Sequence, residues 1–199
     1  MMFRHRQFTR QRAVVLFALL VAMMGSWQLA EGAYIYAKAQ LAQVLLANAW
    51  QKSKQTQQAV KPWSWADTWP VAKLEVSAHN VELIVLAGDT GRTLAFGPGY
   101  NLASAKPGEE GNSIISAHRD THFEFLQHLQ LDDQIIVENQ QGHKKIFTVS
   151  KIHIVDSRQA SVAINNKDAV LTLVTCYPFD ALQSGGPLRY VVEAEEVMV

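Results

Sequence analysis

The chain has 199 residues, 48% of them apolar and 18% charged, with a formal net charge of zero. That composition allows one cored domain plus appendages, and its lack of a basic excess excludes an electrostatic nucleic-acid binder. A single cysteine excludes an intrachain disulfide.

Charge is unevenly placed at the amino terminus. Residues 1–12 hold Arg4, Arg6, Arg10 and Arg12 and no acid, which leaves 14 of the 18 basic residues against all 18 acidic ones in the remainder. Residues 13–30 then run 18 positions without a charge. As a helix at ~1.5 Å per residue they reach about 27 Å, close to the hydrocarbon thickness of a bilayer. The reading is a basic cytoplasmic tail over 1–12 and a transmembrane anchor over 13–31, with the arginines inside and the rest of the chain outside. Ala30-Glu31-Gly32 offers the small residues of a signal-peptidase site, so a cleaved leader is the alternative. Both export the body of the protein.

Residues 32–62 read as a juxtamembrane helix and linker. The stretch 33–55 is rich in Ala, Leu, Gln and Lys, with Leu41, Val44 and Leu45 toward one side. It is either a stalk or docked helix, or a plain continuation of the anchor. Pro62 bars any further helix.

From residue 63 to 199 the pattern turns to short β-rich runs separated by turn signals. The expected strands are Val71–Ser77, Val81–Leu86, Asn112–Ala117, Asp133–Asn139, Lys145–Val155, Val170–Cys176 and Leu188–Val197. Turns fall at Ala87-Gly88-Asp89, Gly97-Pro98-Gly99, Pro107-Gly108, Gln141-Gly142 and Gly185-Gly186-Pro187. One helical turn is expected over His122–Leu129. Crossover helices are missing from the pattern, which excludes a parallel α/β sheet and points to an all-β barrel or sandwich. Trp63, Trp65 and Trp69 crowd the start of this region. They are expected to plug one end of the barrel or to seat the preceding helix.

The chemistry sits at strand ends. Cys176 closes the apolar run Leu171–Val174 and precedes Pro178, so it falls at a barrel rim, sharing a strand face with Thr172 and Val174. A thiol acts as a nucleophile only as thiolate, and needs a neighbouring base or cation. His118 follows the strand Asn112–Ala117 in the same situation. Arg189 opens the strand after the cysteine, and its fork of donors suits an oxyanion. Arg119 is the rival arginine and should point the other way. Asp120 can orient His118 or cap the helical turn that follows. His118 and His122 have a metal-binding spacing, but a third ligand is not evident, and neither metal nor cofactor is assigned.

Thr172-Leu173-Val174-Thr175-Cys176 matches the sortase signature Thr-Leu-x-Thr-Cys at every specified position. Ser116-Ala117-His118 resembles the segment carrying the family histidine, and Leu188-Arg189-Tyr190 the strand carrying the family arginine. The stretches Pro62–Pro70 and His118–Phe123 are similar to the short proteobacterial branch of that family. The resemblance implies an eight-stranded sortase-type β-barrel with short helices, preceded by a transmembrane helix. It implies a cysteine transpeptidase, with Cys176, His118 and Arg189 catalytic and Thr175, Ser116 and Ala117 against substrate. The substrate would carry a C-terminal Leu-Pro-x-Thr-Gly-like sorting signal, passed through a thioacyl enzyme to an amine acceptor. The barrel would stand on the outer side of a plasma (inner) membrane crossed once. Two other readings compete. One is an anchored cysteine hydrolase using water. The other is a non-catalytic envelope binding module.

Overall fold

The computed structural model describes residues 2–159, 168–181, 183 and 185–197, with side chains from Val14 onward. The four arginines of the expected basic tail therefore lie outside the described side chains. Two compact units are present, residues 1–42 and 43–199. The first is helical, within α1 (Met2–Thr56). From Val14 this helix is long and apolar enough to cross a membrane, by length and composition.

The second unit begins with the end of α1. Leu46, Ala49, Trp50 and Ser53 are buried at the i, i+3, i+4, i+7 spacing of one helix face. Val44, expected on the apolar side, is exposed. This stretch is apolar on more than one side, so periodicity alone did not single out the docking face. Polar ties fix it: Gln43 Nε2 donates to the Phe96 carbonyl at 2.9 Å, and Lys54 pairs with Glu138 at 3.0 Å. Trp63 meets Phe96 edge-on, with ring centroids 5.0 Å apart, and Trp69 packs on the core. Trp65 departs from expectation, being 83% exposed.

Eight strands follow: β1 (Pro70–Val76), β2 (Val81–Ala87), β3 (Gly99–Tyr100), β4 (Asn112–Ser116), β5 (Gln134–Asn139), β6 (Lys144–Asp156), β7 (Val170–Cys176) and β8 (Leu188–Glu196). They close into a barrel in the order β1-β2-β3-β4-β7-β8-β6-β5. Closure gives every strand a partner on both sides, though β3 covers β2 only at Leu86 and Ala87. Alternation fills the interior: Ala72, Leu74 and Val76 of β1 are fully buried, while the residues between them are half-exposed. Val85, Ile115, Ile135, Val137, Phe147, Leu171, Leu173 and Val192 complete the core, each with at most 1% exposure. Side chains of this size gain roughly 1.5–3 kcal/mol each on burial.

Every expected strand forms, with ends within one residue of those expected. The expected helical turn is a 3₁₀ helix, Glu124–His128, flanked by buried Phe123 and Leu129. Strand β3 was not foreseen, because Gly97-Pro98-Gly99 reads as a turn. It pairs parallel with β2 and antiparallel with β4. The approach is so close that a Cβ on Gly99 would collide with the Gly88 carbonyl oxygen. Only glycine permits that strand.

Candidate active site

Strands β4, β7 and β8 are neighbours, and their register sets the site. In the antiparallel β7–β8 pair Cys176 lies directly across from Arg189, and Val174 across from Val191. Opposed residues share a face. In the parallel β4–β7 pair Ser116 sits beside Val174. The pairing runs one step further, with the Ala117 N–H donating to the Val174 carbonyl at 3.2 Å. His118 is the next residue. Ile115, Ala117, Leu173 and Thr175 point inward and are buried, so Ser116, Val174 and Cys176 turn outward. Adjacent strands lie about 4.8 Å apart. A thiol, flanked by an imidazole-bearing segment on one side and a guanidinium-bearing strand on the other, thus sits at one end of the outer face. Cys176 and Arg189 are half-buried and His118 is exposed.

Buried polar ties hold these strands in step. Thr175 Oγ1 donates to the Ala117 carbonyl at 2.7 Å, and Thr172 Oγ1 to Asn112 Oδ1 at 2.8 Å. Thr175 and Ala117, expected against substrate, have side chains turned into the interior, so contact with a substrate would fall to their backbone. They join the cysteine strand to the histidine segment. Ser116 stays on the outer face, half-buried.

The arginines divide the loop after Cys176 between them. Arg189 Nη1 donates to the carbonyls of Gly186 at 2.6 Å and Leu188 at 2.9 Å. Both bonds leave from Nη1, so the Nε and Nη2 donors of the same fork can serve an oxyanion. Arg119 Nη2 donates to the carbonyls of Ala181 at 2.7 Å and Gln183 at 3.1 Å, so the rival arginine is engaged with the loop that follows the thiol. Asp120 is exposed and makes no hydrogen bond among the described residues. The 3₁₀ helix after it has Phe123 at its N-cap, without a side-chain cap bond. In this structure Asp120 is therefore bonded neither to His118 nor to the end of that helix.

Tyr177, Phe179 and Tyr190 form an aromatic cluster beside the site, with Tyr177 and Tyr190 stacked at 6.2 Å and Phe179 edge-on to Tyr190 at 5.2 Å. Burial, and then the neighbouring Tyr177, push the Tyr190 hydroxyl above its ordinary range. Burial, and then the charge of His118, pull His122 below the ordinary histidine range. A groove of about 430 Å³ runs alongside, lined in part by Arg119, Asp120, Tyr177, Pro178 and Phe179. Neither the Arg119 bonds nor the aromatic cluster was read from the sequence. The one available signal was the position of Arg119 directly after His118.

Residues 74–197 match the family model described as the Sortase domain. Sortase D of Bacillus subtilis (strain 168) is 31% identical over 125 residues, 62% of this chain and 62% of that protein. The match therefore spans less than two thirds of that relative. Among solved structures, a Clostridium perfringens sortase D5 transpeptidase superposes with a TM-score of 0.65 at 20% identity, over 80% of this chain and 99% of that one. Sortase A from Corynebacterium diphtheriae gives 0.60 at 20% identity, over 79% of this chain and 85% of that one. At such identities these structures establish likeness of fold.

Proposed function

Since the chain belongs to the sortase family, we propose that it is a membrane-anchored cysteine transpeptidase acting on a C-terminal Leu-Pro-x-Thr-Gly-like sorting signal. The supporting observation is the register that puts Cys176 opposite Arg189, with His118 one residue beyond the ladder on the other flank.

In this mechanism Cys176 gives its proton to His118, and its thiolate sulfur attacks the carbonyl carbon of the threonine, a C–S bond forming as the carbonyl oxygen takes negative charge. Arg189, its Nη1 held by the Gly186 and Leu188 carbonyls, donates to that oxygen from Nε or Nη2. As the oxyanion collapses the C–N bond breaks, and His118 passes a proton to the departing glycine amine. The product is a thioester on Cys176. An incoming amine gives its proton to His118, attacks the thioester carbon and expels the sulfur as thiolate. Water in place of the amine gives hydrolysis. Ser116 and Val174, outward beside the thiol, are the proposed substrate floor. The span over residues 13–31 would hold the barrel on the outer side of the membrane.

The test incubates the full chain with a sorting peptide and an amine, and reads products and thioacyl enzyme by mass. Cys176→Ala and His118→Ala are expected to remove turnover while the unfolding midpoint stays within a few degrees. Arg189→Lys should lose most of it, because an ammonium lacks the planar fork. A peptide cleaved to the acid alone, amine or no amine, would mark a hydrolase. Full turnover in Cys176→Ala would end the proposal.

A further inference from the structure

We infer that Arg119 is a positioning residue of this site, its guanidinium fixing the segment that carries His118 against the segment that follows Cys176. The inference rests on the transpeptidase reading for its kinetic consequences only. His118 needs such a tether. Its ring is exposed and makes no hydrogen bond among the described residues. Its backbone leaves β4 after the last ladder bond, and only its carbonyl is held, accepting from the Phe123 N–H at 3.0 Å. The next side chain supplies what is missing. Arg119 Nη2 reaches Ala181 and Gln183, five and seven residues after Cys176, at 2.7 and 3.1 Å. Bonds from a charged donor are among the stronger ones a loop can accept.

The far side of the clamp is itself coupled to the nucleophile. Tyr177, next after Cys176, donates its N–H to the Leu188 carbonyl at 3.1 Å. Arg189 holds the later part of the same loop through Gly186 and Leu188. Arg119 therefore grips the middle of the loop and Arg189 its end, and among the described residues the side-chain hydrogen bonds from the histidine segment to that loop are those of Arg119. Loss of Arg119 removes the tie that holds the loop and the imidazole segment in a fixed relation. Misplacement of reacting groups by about 1 Å can cost on the order of 100-fold in rate.

The sole cysteine gives a readout that needs no turnover, because iodoacetamide alkylation follows the thiolate and hence its imidazole neighbour. Wild type, Arg119→Ala and Arg119→Lys full chains are compared for kcat, KM, unfolding midpoint and the pH profile of alkylation. The profile is repeated at about 1 M salt to screen the lost charge. Arg119→Ala is expected to lower kcat about 10–100-fold with KM within about threefold and the midpoint unchanged, a cost in line with a displaced catalytic group. Its alkylation profile should shift at both salts. Arg119→Lys should recover part of kcat, since an ammonium can still donate to both carbonyls. An unchanged kcat and profile in Arg119→Ala, or a loss matched by a fallen midpoint, overturns the inference. Should wild type fail to process peptide while the profile still shifts, the transpeptidase reading falls and the positioning role stands.

Discussion

Thr175 shows how one hydroxyl, buried on the wrong side of its strand for chemistry, can still govern the site. Its bond to the Ala117 carbonyl is the last tie between β7 and the chain leading to His118. Thr175→Val keeps the shape and strands a buried carbonyl, which costs about 1–3 kcal/mol. Urea unfolding should show that loss, with turnover falling further than stability does. His122 makes a second test at this scale. Its proton is disfavoured in the folded chain by burial and by His118. As pH falls through the ordinary histidine range the unfolded chain takes up that proton first, so stability drops with pH until the lowered folded value is passed. The unfolding midpoint should fall between about pH 7 and 5, and fall less in His122→Gln. The thiol, the imidazole and the guanidinium were legible as strand-end residues, because each closes or opens an apolar run. The role of Thr175 was not, because the sequence pattern gives alternation without saying which face is lined by substrate.

At the scale of elements the seven long strands were legible because each carries its own alternation and its own turn signals. β7 shows the turn signal more than the alternation: Leu171, Thr172 and Leu173 are buried in a row, Val174 and Cys176 are half-exposed on either side of buried Thr175, and Pro178 follows. β3 has two residues and no alternation to read. Its parallel partnership with β2, like that of β4 with β7, arises from closing the barrel and leaves no local mark. Yet β3 bears on function, because Gly99 pairs with Ser116 and Tyr100 with Ile115, directly before His118. Gly99→Ala would drive a Cβ into the Gly88 carbonyl oxygen, a backbone atom that cannot swing aside. The expected loss is about 1–3 kcal/mol, the usual range for overpacking, together with reduced turnover as β4 shifts. Gly91→Ala, which meets no atom within 4 Å, should leave both intact. Equal stability of the two variants by urea titration would show that β3 does not hold β4.

On the scale of the whole molecule, the apolar helix bears on the proposed substrate, which would arrive by its carboxy terminus. The described span is uncharged from Val14 to Ala30 and exposed along its length, a surface that water does not favour and a bilayer does. Four arginines precede it. Basic residues remain on the cytoplasmic side, so the barrel should stand on the opposite one, where the thiol would meet the proposed substrate. The single cysteine makes that arrangement testable without a tag. In intact cells a membrane-impermeant maleimide should label Cys176, and the labelled chain should stay in the carbonate-washed membrane fraction at full length. A product shorter by the first 30 residues would identify a removed leader. Labelling that requires lysis would place the barrel in the cytosol, and a nucleophile there cannot reach a substrate displayed outside.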